Sequence, residues 1–180
     1  MSLFGFRLSP NRAREEDPVS LLFIGNAPAR RIANLLIDDA PRAWKSTDGI
    51  SGAMFGYVDD RSVGGSAGWR QPAADLELIY PPRSGPTWLV AMTSMRLHLR
   101  LYDATVVHPT WGRWCFGGVH AEHYGPPASH LVHHWNDPVE FVTERVSSIT
   151  GARVVMLPGA DGGPYQGVSF DGQIRVVEVA

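Results

Sequence analysis

The sequence is poor in cysteine and lacks long apolar runs. Its 180 residues include a single cysteine, Cys115, which excludes a network of disulfides within the chain. No apolar run approaches the roughly 18 residues of a transmembrane helix, so we expect no membrane span. The first residues also lack the basic and apolar stretches of a secretory signal. Together with an unpaired thiol, these absences favour a cytoplasmic location.

Basic charge is scarce as well. Lys45 is the only lysine, the arginines are scattered among acidic residues, and the formal net charge is −2. A nucleic-acid-binding domain usually clusters its Lys and Arg and has a pI above about 9. We therefore expect no nucleic-acid partner, and the expected partner is an unknown protein or a small ligand.

Motifs that bind nucleotides or a protease zinc ion are missing. The chain contains no G-x-x-x-x-G-K-[ST], no H-E-x-x-H and no G-x-G-x-x-G. These absences exclude the common nucleotide and dinucleotide sites. We therefore assign no catalytic residue and no cofactor-binding residue from motifs.

The pattern of apolar residues predicts one α+β domain. A hydrophobic content of 44% suits a folded domain of this length, which we place at residues 18–180, after a polar, flexible tail at 1–17. Two amphipathic stretches, at about 28–39 and 138–150, predict helices. The strands between them do not alternate with helices, which favours a curved, mainly antiparallel sheet or a partly open barrel.

Two strand patterns are specific. The leucines of segment 97–102 alternate with polar and aromatic residues, which is the period of a half-buried strand. Further on, residues 166–170 and 173–179 flank the dipeptide Asp171-Gly172. This pattern predicts a C-terminal β-hairpin with a type I′ turn.

Five of the seven histidines lie between residues 120 and 134. Residues 125–129 suit the turn of a hairpin built from 119–135. Pairing across that turn places Glu122 opposite Val132, and the same register places His120 opposite His134. Alternation then predicts one face that carries these side chains: His120, Glu122, Tyr124, His130 and His134.

This shared face predicts a metal site. Directly opposed side chains on paired strands are close enough to hold one ion, so we take His120, Glu122 and His134 as candidate ligands, with His130 as an alternate. Two histidines and a carboxylate suit zinc or non-haem iron, and a metal-bound water would supply hydroxide near neutral pH. A one-residue slip would move the set to the other face, which leaves ordinary surface histidines as the alternative.

Aromatic residues provide a second kind of candidate site. Trp69 and Trp111 stand in Gly-rich or turn-like contexts, and with Tyr124 they are candidates for a ligand groove or an oligomer interface. Packing in a core is the alternative for all three. We interpret Cys115, which lies between two aromatic residues, as an inert core residue.

One segment resembles a known family. Residues 88–101 read Trp88-Leu-Val-Ala-Met-Thr-Ser-Met-Arg-Leu-His-Leu-Arg-Leu, which is similar to the "strand, T-x-x-R-L, strand" signature of bacterial pleckstrin-homology-like domains. The likeness covers about residues 76–150. It implies a bent antiparallel sheet with a helix at 137–150, in a binding or assembly module without catalytic residues. The strands after residue 152 fall outside that pattern.

We interpret the chain as a non-enzymatic, soluble α+β domain that binds a protein or a small ligand through its sheet face or an aromatic groove. The alternative is a metal-dependent enzyme, hydrolytic in type, built on the hairpin 119–135. A third interpretation is an assembly subunit that closes its strand edges by forming a homo-oligomer.

Overall fold

The computed structural model describes residues 18–40, 44–46, 56–59, 67–79, 95–125, 129–158, 163–165 and 168–180. The predicted tail at 1–17 lies outside them. The described helices are α1, Ala29–Asp39, and α2, Asn136–Thr150. The described strands are β1 Leu21–Ile24, β2 Trp44–Ser46, β3 Gly56–Asp59, β4 Ala67–Arg70, β5 Ala74–Ile79, β6 Arg96–Asp103, β7 Cys115–Gly125, β8 Ser129–His134, β9 Arg153–Pro158, β10 Gly163–Tyr165, β11 Val168–Phe170 and β12 Gln173–Glu178.

Eight of these strands form one open, mixed sheet. Its order is β2-β5-β6-β7-β1-β12-β9, with β8 alongside β7. The pair β1/β12 is parallel and the other pairs of this sheet are antiparallel. The predicted α+β class and mainly antiparallel sheet are confirmed, and the sheet is open. Within the described ranges, no helix is long and apolar enough to cross a membrane.

The helices begin and end close to the predicted residues. Helix α1 follows Pro28, which cannot donate an N–H to a preceding turn and is preset for a helix start. Helix α2 ends at Gly151, whose φ of 68° is the left-handed conformation that glycine adopts without a Cβ penalty. Both helices bury residues spaced three or four apart, such as Ile32 and Leu36 in α1.

One face of the sheet, which we call the helix face, is apolar and packs against both helices. Helix α1 contacts β5 and β6, while α2 contacts β7 and β12. From β5, β6 and β7 the helix face carries Ala74, Leu76, Leu78, Leu97, Leu99, Leu101, Cys115, Val119 and Ala121. Burial of a leucine side chain stabilises a fold by about 1.5–3 kcal/mol, so this layer supplies the main core.

The opposite face has two zones. The first is apolar and is built from Leu22, Ile24, Trp114, Phe116, Ile174 and Val176. The second is polar and lies on β5, β6 and β7. The alternation in β6 had predicted a half-buried strand, but His98 is 2% exposed and Arg100 is 9% exposed. Strand β6 is therefore buried on both faces, which the polar residues tolerate because they pair with one another.

Strands β6 and β7 approach each other closely beside Gly117. A Cβ built on this glycine would lie 1.9 Å from the backbone oxygen of Arg100, a distance that no real side chain adopts. Glycine is thus the residue that the backbone spacing requires here. The pairing of β6 with β7 continues from Gly117 to Glu122 in the polar zone.

The predicted hairpin across Asp171-Gly172 was wrong. Strand β11 pairs with β10, whereas β12 pairs with β1 and β9. A type I′ turn needs positive φ at both central residues, but among the described non-glycine residues only Asn26 has one. The Asp171 carboxylate instead accepts a hydrogen bond from the N–H of Gln173 at 2.8 Å, a side-chain turn that sends β12 into the main sheet.

Candidate metal centre

The polar zone is a cluster of ionisable side chains contributed by three neighbouring strands. We call it the polar cluster, and its buried members are Asp75 of β5, Arg96, His98 and Arg100 of β6, and His120 and Glu122 of β7. In the strand register His98 lies opposite His120, and Arg96 lies opposite Glu122. Directly opposed Cβ atoms are about 4.5–5.5 Å apart, so the register itself brings these groups together.

Glu122 is the centre of the polar cluster. Its side chain is fully buried, and its Oε1 lies 2.6 Å from Nη2 of Arg96. Oε1 is also 3.2 Å from Nδ1 of His98, and Oε2 is 3.0 Å from Nε2 of His120. Burial alone would raise the pKa of this carboxyl, but the hydrogen bond from His120 holds it well below its usual range. Glu122 is therefore a carboxylate at neutral pH.

His98 is held between two carboxylates. Its Nε2 lies 2.6 Å from Oδ1 of Asp75, so an N–H at Nε2 donates to that oxygen. The tautomer that this bond favours leaves a lone pair on Nδ1, which accepts from Nη2 of Arg100 at 3.3 Å. The imidazole thus presents an acceptor nitrogen towards Glu122 while its other nitrogen is fixed by Asp75.

The His120 ring packs against two other rings. It packs edge-on against Trp135, with ring centroids 5.1 Å apart, and against His98, with centroids 5.4 Å apart. Trp135 immediately precedes α2 and clusters with Val132 and Phe170. These side chains keep bulk water away from the His120 ring, which strengthens its electrostatic contact with Glu122.

Three of these side chains converge as a ligand set. His98, His120 and Glu122 each offer one ligand atom, and these atoms all lie within 4.8 Å of one another. Two imidazoles and one carboxylate are the donor set of many zinc and iron(II) sites. Metal-binding histidines usually donate their second N–H to a carboxylate, and the Asp75–His98 contact has this arrangement.

The formal charges of the polar cluster nearly balance. The polar cluster and its neighbour Glu77, which pairs with Arg96, contain carboxylates at Asp75, Glu77 and Glu122. Two guanidinium groups, on Arg96 and Arg100, oppose them. With neutral imidazoles the buried carboxylates and guanidinium groups balance two against two, and the partly exposed Glu77 adds one negative charge at the margin.

The structure brings together only part of the predicted ligand set. Glu122 pairs with Val132 and Tyr124 with His130, as predicted, but a β-bulge then shifts the register so that His134 lies opposite Ala121. The predicted pairing of His120 with His134 was wrong.

The physical reason is the extra residue that the bulge inserts into β8, which turns the side chains after it to the other face. His134 lines a small cleft with Leu97, Ala121 and Phe141, residues of the helix face and of α2. His130 keeps its predicted backbone partner, and its side chain lies outside the described residues.

His98 is the ligand that sequence reasoning missed. It lies in β6, the strand next to the histidine-rich hairpin, and it comes close to His120 because β6 pairs with β7. The available signal was its place in the alternation of β6, which puts it on the face opposite Leu97 and Leu99. That signal becomes useful only once the pairing of β6 with β7 is known.

The aromatic candidates occupy separate elements. Trp69 lies in β4, and its side chain, like that of Tyr124, lies outside the described residues. Trp111 packs on the apolar zone, edge-on to Trp114, and stacks on His108 with centroids 4.0 Å apart. The groove that these aromatic residues would form stays a prediction.

Cys115 is a core residue of the helix face. It is fully buried, and burial raises the pKa of its thiol well above the ordinary value, with a further rise from the charge of Asp103. The thiol therefore stays protonated at neutral pH and is a poor nucleophile. This agrees with the interpretation of Cys115 as inert.

Comparisons of the chain with protein-family models, with curated proteins and with solved structures found no match. The resemblance to pleckstrin-homology-like domains stays a prediction, since Thr93 of its signature lies outside the described residues while Arg96 and Leu97 lie in β6.

Proposed function

We propose that this protein is a metal-binding domain that holds one divalent transition-metal ion between His98, His120 and Glu122. The observation that carries the proposal is the convergence of their ligand atoms within 4.8 Å of one another. Metal–nitrogen bonds of about 2.0–2.1 Å place the ligand atoms of one ion some 3–4 Å apart, so small side-chain shifts would complete the site. Zinc and iron(II) are the metals that this donor set favours.

Neighbouring side chains support a defined ligand geometry. Asp75 would hold the rear nitrogen of His98, and Arg96 would keep Oε1 of Glu122 while Oε2 faces the ion. Such outer contacts fix the tautomer and the orientation of ligands. They favour binding of the ion by a single carboxylate oxygen.

Burial favours a binding or structural role over catalysis. The three ligand residues are between 0% and 2% exposed. A catalytic metal needs an open position that a substrate can reach, whereas a structural ion is enclosed and adds its binding free energy to folding. The metal-dependent hydrolase is therefore the weaker alternative, and a domain that holds an enclosed metal ion is the function that we propose.

The proposal is tested with untagged protein stripped of metal by a chelator. We expect the stripped protein to take up one equivalent of zinc, or of iron(II) without oxygen, and to melt at a higher temperature when loaded. Elemental analysis after gel filtration measures the uptake. Glu122→Gln should abolish it, whereas Glu144→Gln, which changes an exposed carboxylate of α2, should retain it.

Asp75→Asn provides a test that does not remove a ligand. We expect zinc affinity to fall about 10–100-fold in this variant, with the fold retained in circular dichroism spectra. Stripped wild-type protein that folds but takes up neither metal would overturn the proposal. Equal zinc affinity in Glu122→Gln and wild type would also overturn it, because the ion would then sit elsewhere.

A second candidate function, assembly with another copy of this chain, rests on β9. This strand ends the described sheet order and exposes Val154, Val155 and Met156 by 37%, 38% and 62%. An apolar edge strand with free backbone groups is a template for strand pairing, and self-pairing about a two-fold axis would close it. Light scattering should then give the mass of a dimer for wild type and of a monomer for Val155→Lys, and a monomeric wild type would refute this.

A further inference from the structure

Two other histidines meet on the surface, away from the polar cluster. Nδ1 of His123 lies 2.8 Å from Nε2 of His133, and their rings are nearly perpendicular, at 86°, with centroids 4.6 Å apart. The two residues belong to β7 and β8. We call them the surface pair.

The β-bulge explains how the surface pair forms. His123 lies opposite Leu131, and the register resumes with Ala121 opposite His134, which makes His133 the extra residue of β8. A bulge re-aims the side chain of the residue that it inserts, and here it directs His133 towards His123. The feature that removes His134 from the predicted site therefore builds a different pair.

We propose that His123 and His133 form a second metal site, which binds copper(II). The two ring nitrogens lie 2.8 Å apart, in a hydrogen bond in which one ring donates to the other, so rotation of both rings lets them bind the same ion. Two imidazoles with water in the remaining positions suit a tetragonal copper(II) or nickel(II) ion. Copper(II) also binds nitrogen ligands most tightly among the divalent metals of the first row.

Exposure allows the two rings to adopt the ligand geometry. His133 is exposed and His123 is partly exposed, so water can fill the remaining positions around the ion. Binding requires each ring to turn its lone pair away from the other nitrogen and outward. The χ2 torsion of histidine is broad, so this rotation costs little.

The surface pair is independent of the metal site proposed above. His123 follows Glu122 directly in β7, and successive residues of a strand point to opposite faces of the sheet. The two sites therefore share a strand but no ligand. Loss of one site leaves the other intact, which makes their tests separable.

Copper(II) titration of untagged protein whose buried site is already loaded with zinc tests the surface pair, because copper(II) would otherwise also bind the histidines of that site. We expect one equivalent to bind with two equatorial nitrogens in the electron paramagnetic resonance spectrum. His123→Asn and His133→Gln should each weaken this binding roughly 100-fold in competition with a chelator, because a single histidine loses the advantage of two linked ligands. His134→Asn, which changes the neighbour of His133 across the bulge, should leave the affinity unchanged.

The outcomes separate the two proposals. Glu122→Gln should remove only the zinc or iron equivalent, and His123→Asn only the copper equivalent. Unchanged copper affinity in both His123→Asn and His133→Gln would overturn the surface site, as would a spectrum with one nitrogen ligand. Nickel(II) should bind more weakly than copper(II), and zinc binding tighter than copper at the surface pair would also contradict the proposal.

Discussion

The two faces of β6 and β7 are built from the same backbone but depend on different forces. On the helix face, leucines at 97, 99 and 101 pack against helices, and such apolar contacts have no required direction. On the other face, the polar cluster depends on specific partners at specific atoms. The comparison teaches that one strand can tolerate repacking on one side and tolerate almost no change on the other.

The largest effect should come from removing one buried charge of the polar cluster. Arg96→Met takes away the guanidinium beside Oε1 of Glu122 and leaves that buried carboxylate without its nearest cationic partner. We expect a loss of about 3–5 kcal/mol in the free energy of unfolding, measured in urea.

The matched change on the helix face is Leu99→Met. It conserves volume in an apolar layer, so we expect it to cost less than about 1.5 kcal/mol. Similar losses for Arg96→Met and Leu99→Met would show that the two faces do not differ in the way we infer.

A truncation on the helix face should have an intermediate effect. Leu99 is fully buried among the leucines of the core, and Leu99→Ala removes its contacts and leaves a cavity. The expected cost is about 2–5 kcal/mol, depending on how far α1 and α2 can relax into the space. Thermal unfolding of both variants compares the loss of side-chain volume in Leu99→Ala with the change of side-chain type at constant volume in Leu99→Met. Equal melting temperatures of the two variants would contradict the prediction.

The smallest effect should come from an ion pair at the margin of the sheet, where solvent screens the charges. Asp171 lies 2.9 Å from Nη2 of Arg175. Partial burial would raise the pKa of this carboxyl, but hydrogen bonds from Arg175 and from the N–H of Gln173 lower it. Because the pKa is lower in the folded chain, the stabilisation is present above about pH 4 and is lost as the pH falls further.

Asp171→Asn isolates this charge, since an amide oxygen can still accept from Gln173. We expect the variant to be about 0.5 kcal/mol less stable at pH 7, a small figure because the Asp171 side chain is partly exposed and solvent screens its charge. The difference should shrink as the pH falls below about 4. A constant difference between pH 7 and pH 3 would assign the effect to the side-chain turn instead.

The sequence predicted the helices and the class of fold because periodicity records which residues share a face. Ile32 and Leu36 mark the stripe of α1, and Val142 and Val146 that of α2. Periodicity does not show whether the polar face of a strand is exposed to solvent or covered by other parts of the chain. For this reason the burial of His98 was not visible in the alternation of β6.

The candidate site was predicted in part, and strand pairing explains the difference. His120 and Glu122 were assigned because they alternate within one strand, where sequence spacing fixes geometry. His98 belongs to another strand, so only the register of β6 against β7 brings it close. His134 was assigned to the wrong face because nothing in the segment Val132-His133-His134 shows that β8 contains one extra residue there.

The Asp171-Gly172 turn shows a local signal overruled by distant pairing. The dipeptide favours a hairpin, but β12 gains two neighbours, β1 and β9, by entering the main sheet. Four consecutive residues of β12, from Ile174 to Val177, are buried there. Burial of that apolar strand outweighs the preference of a two-residue turn.

The parallel pairing of β1 with β12 determines when the sheet can be completed during synthesis. Leu21 is bonded into the sheet beside Arg175 on one side and Gly117 on the other. A ribosome that has produced β1 must add all the intervening elements before the second neighbour exists. One edge of β1, a strand that is fully buried in the folded chain, therefore stays unpaired until β12 has been synthesised. Such long-range closure makes folding slow, and a nascent chain stopped before Gln173 would present β1 to chaperones or to other chains.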